Sequence, residues 1–210
     1  MINTAKSTTA LALLLAAFVA ACNAPLPRTT VERVAKAESV PNAPYARVLV
    51  VAMLPLGSSA RELEEVLVSE MRNSETYAFG YRRAASRADV DQQVVQSIAE
   101  KQKADAVLVV TAQLVDASVS SKKQQTDVQA RVKGGNLLDA FRYDYDELTT
   151  PTESDVQMKV RLVTDLYDVE TGSRLYTIES TTEQAETSSE VIIAESQSIA
   201  KRLRKDKLTR

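Results

Sequence analysis

The 210 residues include one cysteine, Cys22, and no histidine or tryptophan, so candidate chemistry is confined to one thiol, the carboxylates and the hydroxyls. Without histidine the chain lacks the commonest general base near neutral pH and the favourite zinc ligand. Paired carboxylates can still serve as acid and base in glycoside hydrolysis. The candidates are Asp165 with Asp168 or Glu170, and Glu62 with Glu64 and Glu65. Both sets also have plain structural readings. Asp168 and Glu170 fall in a hairpin turn, where acidic and polar side chains bond the backbone. The three glutamates fall near a helix start, where the dipole favours them. Nothing completes a nucleophile, a base and a group to orient it, so no catalytic residue is assigned and the chain is read as a non-enzyme. Ser58 and Ser59 lack the glycine-rich string of a phosphate loop and are read as capping residues. No metal site and no cofactor are expected.

The thiol has a different context. Residues 1–21 have the layout of a secretory signal: Lys6 as the only charge, an uncharged apolar run from Ala10 to Ala21, then small residues before Cys22. That run is shorter than the roughly 20 residues a spanning helix needs. Pro25 and Pro27 discourage its continuation. The order Val19-Ala20-Ala21-Cys22 resembles the lipobox of bacterial lipoproteins. In that family the thiol is acylated and the chain is cut just before it. The resemblance therefore implies a lipid on Cys22, with Val19, Ala20 and Ala21 flanking the cleavage point. Palmitate-type chains contribute about 0.8 kcal/mol per buried methylene, so several of them hold a protein at a membrane. Asn23 is not the aspartate that resembles an inner-membrane retention signal, so a periplasm-facing outer-membrane location is expected.

The elements that would position these groups follow from hydrophobic period. At 44% hydrophobic and 26% charged residues, disorder and coiled coil are excluded, and a net charge of −2 gives no basis for nucleic-acid binding. Residues 22–45, with Pro25, Pro27, Pro41 and Pro44, read as the lipidated cysteine and a flexible tether, with a short helix entertained over 29–37. Arg47–Leu54 is a continuous apolar, β-branched run, the mark of a strand buried on both faces. Ser59 and Glu62 have capping-box spacing before a helix with Leu63, Val66, Leu67 and Met71 on one face. A short strand is expected over 76–81. A helix capped near Asp89 follows, with Val90, Val94, Val95, Ile98 and Ala99 as its stripe, and then a third strand over 105–115.

Beyond residue 120 the period becomes two. Asp127–Lys133 alternates, and Val156–Tyr167 alternates at greater length before a turn over 168–173 and a return strand, Arg174–Thr182. Thr187 caps a last helix with Ile192, Ser196, Ile199 and Leu203 facing inward. The fold class is α/β with α+β character: a three-layer-like mixed sheet with helices packed on it, β-α-β-α-β followed by an antiparallel hairpin and a C-terminal helix. Residues 46–210 form one domain with a loop over 134–154. In that loop Phe141, Tyr143 and Tyr145 interleave with Asp144 and Asp146. Aromatic residues of this kind suit a protein-binding edge; a mobile connector is the competing reading.

Residues 46–115 and 155–204 resemble bacterial envelope lipoproteins with an α/β domain like the amino-terminal domain of TolB. The group includes the curli-secretion lipoprotein and the activator of penicillin-binding proteins. The likeness rests on Met53-Leu-Pro55, Ser59-Ala-Arg-Glu, Lys103-Ala-Asp-Ala-Val-Leu-Val and the hairpin Leu166-Tyr-Asp-Val-Glu-Thr-Gly-Ser-Arg-Leu-Tyr176. Tyr81-Arg-Arg-Ala replaces the Asp-Arg pair typical of the curli-secretion branch, which argues against a pore. The resemblance implies a membrane-anchored, non-catalytic binding or assembly accessory of the envelope. Its expected contacts are membrane lipid through acylated Cys22 and an envelope protein; a homo-oligomer is left open. The alternatives are an envelope hydrolase using paired carboxylates and a subunit of an oligomeric secretion assembly.

Overall fold

A computed structural model describes residues 27–38, 40, 43–119, 122–124 and 156–209. In chain order the strands and helices are β1 (Arg28–Lys36), β2 (Arg47–Met53), α1 (Gly57–Met71), β3 (Tyr77–Gly80), α2 (Tyr81–Ala85), α3 (Gln92–Lys101), β4 (Ala106–Val119), β5 (Lys122–Gln124), β6 (Val156–Asp168), β7 (Arg174–Ala185) and α4 (Ser188–Lys205). All strands join one mixed sheet in the order β1-β7-β6-β4-β2-β3, with β5 paired to β4 off that path.

The apolar run of β2 lies between β4 and β3, parallel to both, and Val48 through Ala52 have no exposed surface. Its alternate side chains feed two cores. Val48, Val50 and Ala52 pack with Leu63, Leu67 and Met71 of α1 and with Ile199 and Leu203 of α4. Leu49 and Val51 pack with Tyr81 of α2 and Val95 and Ala99 of α3. The three-layer arrangement therefore holds over the parallel strands.

The antiparallel strands are built differently. On one face of β6, β7 and β1, Val160, Leu162, Leu166 and Ile178 join the core under α4. The opposite face carries ion pairs instead: Arg33 with Glu179, Arg161 with Glu32, and Lys159 with Glu183. This one wet face is what period-two alternation requires. At the hairpin turn Gly172 adopts φ of 66°, the left-handed conformation expected there.

Four boundaries differ from the sequence reading. The tether expected over 22–45 is interrupted by β1, which pairs antiparallel with β7 from Arg28↔Glu183 to Lys36↔Tyr176. The short helix entertained over 29–37 is that strand. A bulge between Val31 and Arg33 explains the misreading: one extra residue turns a spacing of two into the helix-like spacing of Val31 and Val34, both packed on the core. The first helix starts at Gly57 with Leu56 at its N-cap and no side-chain cap, so the Ser59–Glu62 capping box does not form. Asp91, not Asp89, caps α3, accepting from the amides of Gln93 at 2.9 Å and Val94 at 3.2 Å. The strand expected over 76–81 ends at Gly80, and Tyr81 opens the short helix α2. The signal residues Val19, Ala20 and Ala21, the acylation candidate Cys22, the alternation over 127–133 and the 134–154 loop with Phe141, Tyr143, Asp144, Tyr145 and Asp146 lie outside the described residues.

Candidate functional site

The carboxylates suggested for acid–base work are not brought together. Asp165 and Asp168 are three apart on an extended strand, so their side chains leave opposite faces. Asp165 is buried; Thr177 Oγ1 donates to it at 2.5 Å and Arg174 Nη1 lies 3.8 Å away. Burial pushes its carboxyl above the ordinary range, against the lowering pull of Thr177 and Arg174. Asp168 instead closes the hairpin turn, accepting from the Thr171 amide at 2.8 Å and hydroxyl at 3.0 Å, while the Tyr45 hydroxyl donates at 3.3 Å. Desolvation, then the Asp168 charge, raises the Tyr45 phenol well above its ordinary value. Each of these groups is engaged in holding the sheet together.

The three glutamates of α1 separate in the same way. Glu65 is exposed, Glu62 is half-buried, and Glu64 is 1% exposed. Buried residues recur along α1 at Ala60, Leu63, Glu64, Leu67, Val68 and Met71, a helical stripe that includes Glu64. Its carboxylate is met from three directions. Oε1 accepts from the Ala52 amide at 3.1 Å and from Arg82 Nη1 at 2.5 Å, and Oε2 accepts from the Arg82 amide at 2.8 Å. The same Nη1 donates to the Ala52 carbonyl at 2.8 Å, while Arg82 Nε is buried with no hydrogen-bond partner. Burial raises the Glu64 carboxyl, opposed by the two amides and the Arg82 charge. Gly80 permits this close approach, because a Cβ there would lie 3.2 Å from Glu64 Oε2.

This ion pair forms the inner wall of a cleft of about 710 Å³ between α1, β3 and α2. Arg61, Arg72, Arg82 and Arg83 line it against two carboxylates, Glu64 and Glu65, of which Glu64 is already neutralised by Arg82. β3 is the last strand of the sheet, so its outer edge faces the cleft. Tyr77, 48% exposed, sits under two guanidinium groups: Arg72 at 4.9 Å and Arg47 at 5.1 Å from the ring centre. Phe79 packs 5.8 Å from it, and Arg72 Nε donates to the Ala78 carbonyl on the strand edge at 2.7 Å. A basic wall, an aromatic floor and a strand edge can hold an acidic extended chain. Among the described residues the cleft offers no nucleophile with an adjacent base.

Sequence reasoning passed over this site. Arg82 and Arg83 read as ordinary exposed charge next to a short strand, and the glutamates were weighed as a set rather than by helical face. The legible signal was Glu64 within the stripe of Leu63 and Leu67. A second, apolar cavity of about 100 Å³ lies past the end of β2, among Leu54, Leu56, Leu63, Leu162, Val191 and Ile192. No group of acidic, His or Cys side chains able to hold a metal occurs among the described residues. No helix among them is long and apolar enough to cross a membrane.

The architecture and cleft define an α/β domain with an open sheet edge, and its relatives are distant. No known family and no curated protein matches the sequence. Similar solved structures include the PelC dodecamer from Paraburkholderia phytofirmans in two crystal forms. A point-variant form is 15% identical, covering 84% of this chain and 96% of that chain at a TM-score of 0.48. The other form is 14% identical over 82% of this chain and 97% of that chain, at 0.47. Lipoprotein GNA1162 from Neisseria meningitidis is 13% identical over 76% of this chain and 99% of that chain, at 0.41. These are distant likenesses of chain course to proteins that include a bacterial lipoprotein.

Proposed function

We propose that this chain is a lipid-anchored protein of the outer membrane, facing the periplasm, whose TolB-amino-terminal-like domain is a non-catalytic binding or assembly accessory. The observation that carries the binding role is the arginine-lined cleft along the free edge of β3. An edge strand offers unpaired backbone donors and acceptors to another chain, and arginine and tyrosine are enriched where proteins meet. The engagement of Asp165, Asp168 and Glu64 in structural bonds supports a role without catalysis.

The position of β1 also shapes the anchoring. With Cys22 acylated, only the short stretch to Arg28 separates the lipid from the sheet, about 20 Å at full extension. Because β1 and β3 are opposite edges of the sheet, the membrane attachment lies about 24 Å across the strands from the cleft. The anchored edge then faces the membrane side and the cleft edge remains free for an envelope partner.

Two variants test this reading. Cys22→Ser should leave an unprocessed chain without lipid; a processed, lipid-bearing product would overturn the anchor. Arg61→Glu combined with Arg83→Glu should abolish in-cell crosslinks between the cleft and an envelope protein. Unchanged crosslinks would remove the cleft from the binding role.

A further inference from the structure

We infer that the cleft's occupant is the acidic aromatic segment 139–147 of a second copy of this chain, added as a strand to the free edge of β3. This rests on the cleft being a binding site, as proposed above, and names what fills it. Chemistry on both sides matches. Asp139, Asp144, Asp146 and Glu147 oppose a single Arg142 within the segment, while the cleft presents Arg61, Arg72 and Arg83 beside the neutralised Arg82. Phe141, Tyr143 and Tyr145 alternate with Arg142, Asp144 and Asp146, the period of an extended strand with one aromatic and one charged face. The aromatic face suits the exposed Tyr77 and its neighbour Phe79.

The backbone of β3 is arranged for such an addition. The Tyr77 amide donates inward to the Ala46 carbonyl at 2.7 Å. Alternation therefore turns the backbone groups of Ala78 outward, and its carbonyl is held by Arg72 rather than by another strand. Strand addition uses main-chain bonds for affinity and alternate side chains for specificity.

Reach favours a second copy over the chain's own cleft. Gly80 is level with Val50 and Leu108 in the sheet, whereas Val156 is level with Val119. From Leu108 to Val119 is about 36 Å along the strands, and two strand spacings add about 10 Å sideways. The chain from Val156 back to Tyr145 spans about 37 Å when fully drawn out, so its own cleft is reached only without slack. The long β4–β6 ladder instead carries the segment away from its own β3 and toward a neighbour. Donor and acceptor are different surfaces, so the contact is heterologous and joins copies head to tail.

The test is self-association of the purified full chain by sedimentation, with a synthetic peptide of residues 138–148 as the probe of the cleft. Arg61 and Arg83 are exposed and have no partner among the described residues, so reversing them spares the fold; circular dichroism checks this. Arg61→Glu with Arg83→Glu should weaken both self-association and peptide binding by at least about tenfold. Asp144→Arg with Asp146→Arg should do the same to self-association, and mixing the two variants should restore a joint assembly. Undiminished self-association in either variant, or no recovery on mixing, overturns the second-copy assignment. If the cleft variant keeps its self-association but loses crosslinks to another envelope protein, this inference fails while the binding role stands. If neither changes, both fail. Peptide binding by a chain that stays monomeric at all concentrations would overturn the head-to-tail contact.

Discussion

Glu64 on α1 and Glu195 on α4 are two buried glutamates, 1% and 0% exposed, on helices that pack against the same face of the sheet. Their surroundings differ. Glu64 meets a guanidinium and two backbone amides, so its charge is matched at the site. Glu195 meets only hydroxyls: Ser180 Oγ and Thr182 Oγ1 each donate at 2.6 Å, and no cation is paired with it. Desolvation pushes the Glu195 carboxyl upward more than those two bonds lower it. One burial therefore builds a fixed charge pair at the wall of a cleft, and the other builds a polar seam with a strong preference for a proton. Burial alone does not decide the role of an acid; the partner supplied by the neighbouring element does.

The largest effect should come from breaking the matched pair. Arg82→Ala leaves Glu64 buried without its cation, and should cost about 3–5 kcal/mol in urea unfolding. A loss below about 1 kcal/mol would mean that the two amides suffice, and the contrast with Glu195 would collapse. Next, Gly80→Ala should press a methyl group against Glu64 Oε2, at 3.2 Å, and Glu64 Cβ, at 3.3 Å. The side chain is held from behind by Ala52 and Arg82, so the expected cost is about 1–3 kcal/mol.

Glu195→Gln sharpens the other side of the comparison. Because the folded-state value is raised, the native protein holds this proton more tightly than the unfolded chain does. That contribution is full below the unfolded carboxylate value of about 4.3 and is lost as pH rises through the native value. The amide keeps the hydroxyls satisfied without a charge. The variant should therefore be more stable than the parent at pH 7.5 by about 1 kcal/mol, or about 2–4 °C in Tm, and equal to it at pH 4. A variant destabilised at pH 7.5 would show that the ionised form is the favoured one. The smallest effect belongs to the wet face, where Arg33 and Glu179 lie 3.5 Å apart with Arg33 70% exposed. Arg33→Ala should stay within about 0.5 kcal/mol of the parent in the same unfolding assay.

Much of the fold was legible because burial leaves a period. The continuous run Val48–Ala52 announced a strand covered on both faces, and the alternation of β6 announced one wet face. The stripe of α3 and the Thr187 cap of α4 were legible for the same local reason, since Thr187 Oγ1 accepts the Glu190 amide at 3.2 Å. β1 was not, because its bulge removed the period that would have revealed it. The capping box over Ser59 and Glu62 failed because α1 begins at Gly57, placing both residues inside the helix. The cleft was hidden by a different cause: Arg82 is a charged residue in a short helix, and the sequence around it carries no sign that it is buried.

The sequence alone determined which segments are strands and helices wherever hydrophobic period was intact, and placed Cys22 at the end of a signal-like stretch. Tertiary structure alone decided which acids meet cations. Glu64 reaches Arg82 because α1 returns the chain to place β3 beside β2, bringing residues 18 positions apart to 2.5 Å. Glu195 meets two hydroxyls because α4 lies over β7. Hydrophobic period is a local property of the chain, whereas the energy of a buried charge depends on whatever the fold brings within a few ångströms of it.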